Sequence, residues 1–227
     1  MSTRSSANWQ TQPGYMNSLH LNERFPANNR WGIPQLTPVT KQHLPDTLIA
    51  YGYRARPKRP FVAPATHFFL DDYRFESVWR NPRKSLPKVK KYPFVLTPDF
   101  SLYRDYPLAA QLWNVYRSRW CGAFWQQQGL WVIPTISWGS AESYPFCFFG
   151  IPKGSVVAVS AVGVKWRADI LTYTLFVNGF QEMVKQIDPA AVIAYGDLPP
   201  ICKGLAEVIH RPTHWQSLRQ PNNQVRH

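Results

Sequence analysis

Cysteine is scarce in this chain. Cys121, Cys147 and Cys202 are the only 3 in 227 residues, odd in number and far apart. No two form a C-x-x-C pair that could hold zinc or run thiol exchange, which leaves buried free thiols as the expectation. Long apolar runs are missing as well. Nothing approaches the roughly 20 apolar residues that a membrane-spanning helix needs, and the polar start, MSTRSSANWQTQPGYMNS, has no apolar segment of the kind a secretory signal carries. A cytoplasmic protein without a membrane partner is expected. The glycine-rich cradles G-x-x-x-x-G-K-[ST] and G-x-G-x-x-G are absent, so standard nucleotide sites are not expected, and there is no G-x-S-x-G elbow. His210 and His214 are four apart, but Pro212 between them argues for a loop rather than a metal-binding helix face. No metal site is expected, and nothing names a cofactor.

Acid is the other shortage. Against 26 Lys+Arg stand 13 Asp+Glu, a formal net charge of +13, and the pI is near 9.9. Such a balance attracts polyanions, nucleic acid above all. The cations cluster twice: Arg54, Arg56, Lys58 and Arg59, then Arg80, Arg83, Lys84, Lys88, Lys90 and Lys91. Two readings stand side by side, DNA or RNA contact and a solvated surface that keeps the protein soluble.

What is present is core material. Apolar residues make up 44% of the chain and aromatics 15%, enough for a packed interior. Residues 1–60 are polar, proline-rich and basic, which reads as an N-terminal arm laid across the body or against nucleic acid. Residues 61–210 read as a single α/β domain and 211–227 as a C-terminal tail. Within the domain, short continuous apolar runs begin at His67, Phe94, Trp131, Val156, Val192 and Val208. Continuous rather than alternating runs suit strands covered on both faces of a parallel sheet. Between them, Leu108 to Gly129 and Asp169 to Ile187 carry apolar residues at helical spacing, the second ending at Asp188-Pro189. The expected fold is α/β: a mainly parallel sheet of five or six strands with helical crossovers, either covered on both sides or curled into an incomplete β/α barrel.

In such a sheet ligands bind beyond the carboxyl ends of the strands. The runs here end in polar groups: Asp71 and Asp72, then Asp99 and Ser101, then Thr135, Ser137 and Trp138, then Ser160, then Asp197. Asp99, Asp72 and Ser137 are the candidate catalytic groups. Ser101, Thr135, Ser160 and Asp197 are candidate hydrogen-bonding groups and Trp138 a candidate stacking wall. Asn114 and Arg117 share a helical stripe, from which the arginine either clamps an anion or pairs with a nearby aspartate. An aspartate after a strand is also an ordinary cap, and that reading stands against each carboxylate.

The blocks HFFLDDYRFESVW, VLTPDFSLYRDYPLAAQLWNVYRSRW, VIPTISWG, GSVVAVSAVGV and VIAYG, in this order, resemble a bacterial, phage and mobile-element family catalogued as domain-of-unknown-function family 4417. The resemblance covers about residues 65 to 200. It implies a phage or mobile-element context and carries no mechanism. Three functions therefore remain open: a basic protein contacting DNA or RNA, a hydrolase-type enzyme with its site at the strand ends, and a protein-interaction module.

Overall fold

The computed structural model describes residue 20 and residues 23–41, 44–53, 63–164 and 169–219. The basic cluster Arg54, Arg56, Lys58 and Arg59 lies outside the described residues. Among the described residues seven strands occur: β1 (Thr47–Ala50), β2 (Pro64–His67), β3 (Phe94–Leu96), β4 (Trp131–Ile133), β5 (Val156–Ser160), β6 (Ala191–Tyr195) and β7 (Val208–Arg211). Every pairing is parallel. β1 to β4 form one sheet in chain order and β5 to β7 a second, and a parallel bridge between Thr135 and Ala158 joins the two. The helices lie between the strands: α1 (Ser77–Arg80), α2 (Pro82–Val89), α3 (Leu108–Gln127), α4 (Tyr144–Cys147), α5 (Ile170–Ile187) and α6 (Pro200–Lys203), with α7 (His214–Arg219) after β7.

Parallel strands that follow one another in chain order, joined by crossovers of one hand, put their helices on one side and curl the sheet the other way. The core shows that curl. One cluster gathers Leu48 of β1, Ala65 of β2, Leu96 of β3, Ile133 of β4, Ala158 of β5, Ile193 of β6 and Ile209 of β7. Alternate residues on the same strands face outward. Val95 and Val132 pack with Trp120, Phe124 and Trp125 of α3, and Val157, Val159 and Val192 pack with Phe176, Phe180 and Met183 of α5. The result is an α/β fold of two parallel sheets with helices between the strands. Among the described residues β7 and β1 share no ladder, and side chains span the gap: Arg211 donates from Nη2 to the Pro45 carbonyl at 2.6 Å, and Lys41 pairs with Glu207.

Two elements differ from the sequence reading. The first strand of the domain is Pro64–His67 rather than a run starting at His67; its residues are all buried, but Phe68-Phe69-Leu70 is more apolar and draws the eye past it. β1 lies within the stretch read as a polar arm, and Ile33, Leu36 and Val39, in the same stretch, are buried in the body. The two long helices fall where the spacing places them. α5 is capped by Asp169, whose Oδ1 accepts from the amides of Leu171 and Thr172 at 3.1 Å. α3 begins just after Pro107, at Leu108.

Candidate active site at the carboxyl ends of the strands

The loops leaving β2, β3 and β4 bring carboxylates and hydroxyls together. Asp72 opens a single 3-10 turn, Asp72–Arg74, just beyond β2. Its Oδ2 accepts from the Ser101 amide at 3.1 Å and its Oδ1 from the Ser101 hydroxyl at 2.9 Å, so the end of β3 holds it in place. Ser101 is held in turn by Asn114 of α3, whose Nδ2 donates to the Ser101 carbonyl at 2.7 Å. Asn114 Oδ1 accepts from Arg117 Nη2 at 2.6 Å, and Arg117 Nη1 donates to both oxygens of Glu76 at 2.9 and 3.0 Å. The Arg117 guanidinium lies 3.8 Å from the centre of the Phe100 ring. Of the two roles open to Arg117, the pairing with a carboxylate is the one seen, and its partner is Glu76. A chain of bonds thus runs from α1's edge through α3 to Asp72.

Asp99 stands beside this chain. Its residue surface is partly open, yet the carboxyl sits deep among protein atoms. Burial raises its pKa to about 7, and the nearby Asp72 charge pushes the same way, while a Ser137 hydrogen bond and Arg119 oppose the rise. An acid held near neutrality can both donate and accept a proton under physiological conditions.

Arg119 is the group that the sequence reading did not assign to the site. It is 2% exposed. Its Nε donates to the Phe149 carbonyl at 3.1 Å, Nη1 to the Thr135 carbonyl at 3.0 Å and Nη2 to the Cys147 carbonyl at 3.1 Å, tying α3 to the loops after β4. Burial lowers its pKa to about 10, with the Cys147 and Asp99 charges opposing. Spacing gives only a weak signal for it, four residues after Val115 and seven after Leu112, because α3 is buried around much of its circumference; once inside, an arginine must find internal partners.

The other candidates have structural partners. Thr135 is buried; its hydroxyl donates to the Thr97 carbonyl and its amide to Thr97 Oγ1, both at 2.8 Å, stitching the end of β3 to that of β4. Trp138 donates from Nε1 to the Leu175 carbonyl at 3.2 Å and packs on Phe176 and Phe148, so its ring faces α5 and the core. Ser160 closes its own turn by accepting from the Val162 amide at 3.2 Å. Asp197 meets Gln216 at 2.7 Å and His210 at 3.2 Å. Asp72, Asp99, Ser101 and Ser137 are brought together, with Asn114 and Arg117 bonded behind them; Ser160 and Asp197 are engaged elsewhere on the strand ends.

A groove of about 540 Å³ lies between residues 24–34 and α3, lined by Phe25, Trp31, Leu112, Trp113 and Tyr116 among others. None of the clustered carboxylates and hydroxyls lines it. Among the described residues no three His, Cys, Asp or Glu side chains gather as a metal cage, and no helix is long and apolar enough to cross a membrane. On α2 and its flanks Arg80, Arg83, Lys84, Lys88, Lys90 and Lys91 are all exposed. Two of them make loose surface pairs, Arg80 with Glu76 at 3.4 Å and Arg83 with Glu23 at 3.5 Å.

A family model described as Domain of unknown function (DUF4417) matches residues 25–210. The chain is 46% identical over 221 residues to a protein called "Gene 1 protein" of Mycobacterium phage D29, covering 96% of this chain and 80% of that one. It is 45% identical over 221 residues to the "Gene 1 protein" of Mycobacterium phage L5, covering 96% of this chain and 94% of that one. No solved structure matches.

Proposed function

This chain belongs to the DUF4417 family, and from that premise we propose that it is an enzyme of phage type that carries out hydrolysis by general acid–base catalysis, on an anionic substrate of the nucleic-acid class, at the carboxyl ends of β2, β3 and β4. One observation carries the reading: Asp72, Asp99 and Ser137, from three separate strand ends, come together with Asp99 held near neutrality by burial. Asp99 exchanges the proton with water or the leaving group. Asp72, anchored twice by Ser101, sets the second charge. Ser137 orients Asp99, and the net charge of +13 draws in a polyanion. Arg117 is committed to Glu76 and supports the site from behind.

The test is a turnover assay on DNA, RNA and simple phosphoesters across pH 5 to 9. Asp99→Asn is expected to fold and to lose about 10²- to 10⁴-fold in rate, the span of one general acid or base. Activity equal to the parent's would show Asp99 to be a structural cap.

A second reading, sequence-independent contact with nucleic acid, has its own support in the exposed cations of α2. It requires no chemistry and is compatible with the first.

A further inference from the structure

The loops that leave β1, β2 and β3 each carry a tyrosine followed by an arginine: Tyr53-Arg54, Tyr73-Arg74 and Tyr103-Arg104. These three strands are parallel neighbours in one sheet, so all three loops leave from the same edge. Tyrosine ordinarily buries its ring and leaves its hydroxyl wet, but here the residues are 45%, 80% and 56% exposed. Arg54 lies outside the described residues. Arg74 and Arg104 are exposed, and neither makes an ion pair with a described residue, although Arg104 is near enough to Asp169 to help lower its pKa.

Two of the pairs adjoin the carboxylates. Tyr73-Arg74 follows Asp72 directly, and Tyr103 comes two residues after Ser101, the residue that holds Asp72. Tyr106 stands edge-on to Tyr103 with ring centres 5.0 Å apart, which steadies that ring in its exposed position.

We propose that this rim is a stacking platform for single-stranded nucleic acid: Tyr73 and Tyr103 take bases on their ring faces, Arg74 and Arg104 meet the adjoining phosphates, and the backbone is laid across Asp72 and Asp99. The proposal rests on the reading of that cluster as the site of chemistry and names the form of its substrate. Rings alternating with cations are what a single strand needs, because each nucleotide offers one base face and one phosphate. A duplex hides its base faces and would use only the cations. Tyrosine and arginine are also enriched at protein interfaces; it is the pairing of one ring with one cation beside the carboxylates that favours the single strand.

The test is fluorescence anisotropy of the full chain with labelled oligo(dT), oligo(rU) and a duplex of equal length. The parent is expected to bind a single strand more tightly than the duplex. Tyr73→Ala combined with Tyr103→Ala should weaken single-strand binding by at least about tenfold, the effect of losing one stacked base. Tyr73→Phe combined with Tyr103→Phe, which keeps the rings, should restore it. Parent binding without preference for the single strand overturns the platform, as does an alanine pair that binds like the parent or a phenylalanine pair as weak as the alanine pair. Asp99→Asn separates the two claims. A ring-dependent complex whose turnover does not depend on Asp99 sinks the catalytic reading and leaves the platform; binding indifferent to the rings sinks the platform whatever Asp99 does.

Discussion

Asp99 and His67 are held away from their usual ranges with opposite consequences for pH. Asp99 is raised to about 7, chiefly by burial. The folded form therefore keeps a proton that the unfolded chain releases near pH 4, so stability from this group is complete below that point and is lost as pH climbs to about 7. His67 is lowered to about 3 by burial and by the neighbouring His214. It sits against the rings of Phe69 and Tyr195, with centres 5.4 and 4.7 Å away, and its Nδ1 accepts from the Phe69 amide at 3.2 Å. Its contribution is complete above about 6.5 and is lost as pH falls towards 3. Melting curves from pH 8 to pH 4 should show both effects. Asp99→Asn should gain on the parent as pH rises from 4 to 8, by about 4 kcal/mol at most and about half that once the partial exposure of the residue is allowed for. His67→Asn, which keeps an acceptor for the Phe69 amide, should lose less than the parent below pH 6. Parallel curves for all three proteins would contradict these assignments.

At the scale of the elements, close approach between α5 and the loop after β4 depends on one missing side chain. A Cβ on Gly179 would stand 2.1 Å from Trp138 Nε1, well inside contact distance. Gly179→Ala should therefore push Trp138 off the Leu175 carbonyl and cost about 1–3 kcal/mol, read as a lowered denaturant midpoint; an unchanged midpoint would mean the indole has room to move. The same scale shows what was legible in the sequence. β3 and β4 stand out because short apolar runs bounded by turns are what strands covered on both faces require, and α5 stands out because one face of it is wet. β1 was hidden because Thr-Leu-Ile-Ala is a run of four that sits among prolines and polar residues. Arg119 was hidden for a different reason. α3 is buried around much of its circumference, with Gln111, Asn114, Ser118 and Arg119 all inside, so no clean stripe separates inner polar positions from outer ones. Asp99 and Asp72 could be placed at strand ends, but that Ser101 and Asn114 fix Asp72 is a matter of tertiary contact.

For the whole molecule the dominant facts are the charge and the curl of the sheet. Arg83, Lys84 and Lys88 lie on the wet face of α2, whose other face buries Ser85 and Val89. Replacing those three cations with alanine should leave the fold intact, weaken single-strand and duplex binding alike, and flatten the dependence of affinity on salt by up to about one unit of slope for each phosphate that is no longer neutralised. Undetectable binding of the parent at low salt, or a slope the triple variant does not change, would remove α2 from the account. Among the described residues β7 and β1 share no ladder. Within each sheet neighbouring strands are held by parallel ladders, and the two sheets are joined by the Thr135–Ala158 bridge, backbone bonds that salt hardly touches. The remaining join is a clasp of another material: an exposed lysine–glutamate pair and an arginine on a carbonyl. Ionic strength weakens exposed charge pairs and leaves buried ladders alone. Under the proposed function, the salt that would strip a polyanion from this protein also slackens its clasp, so the two answer to one variable.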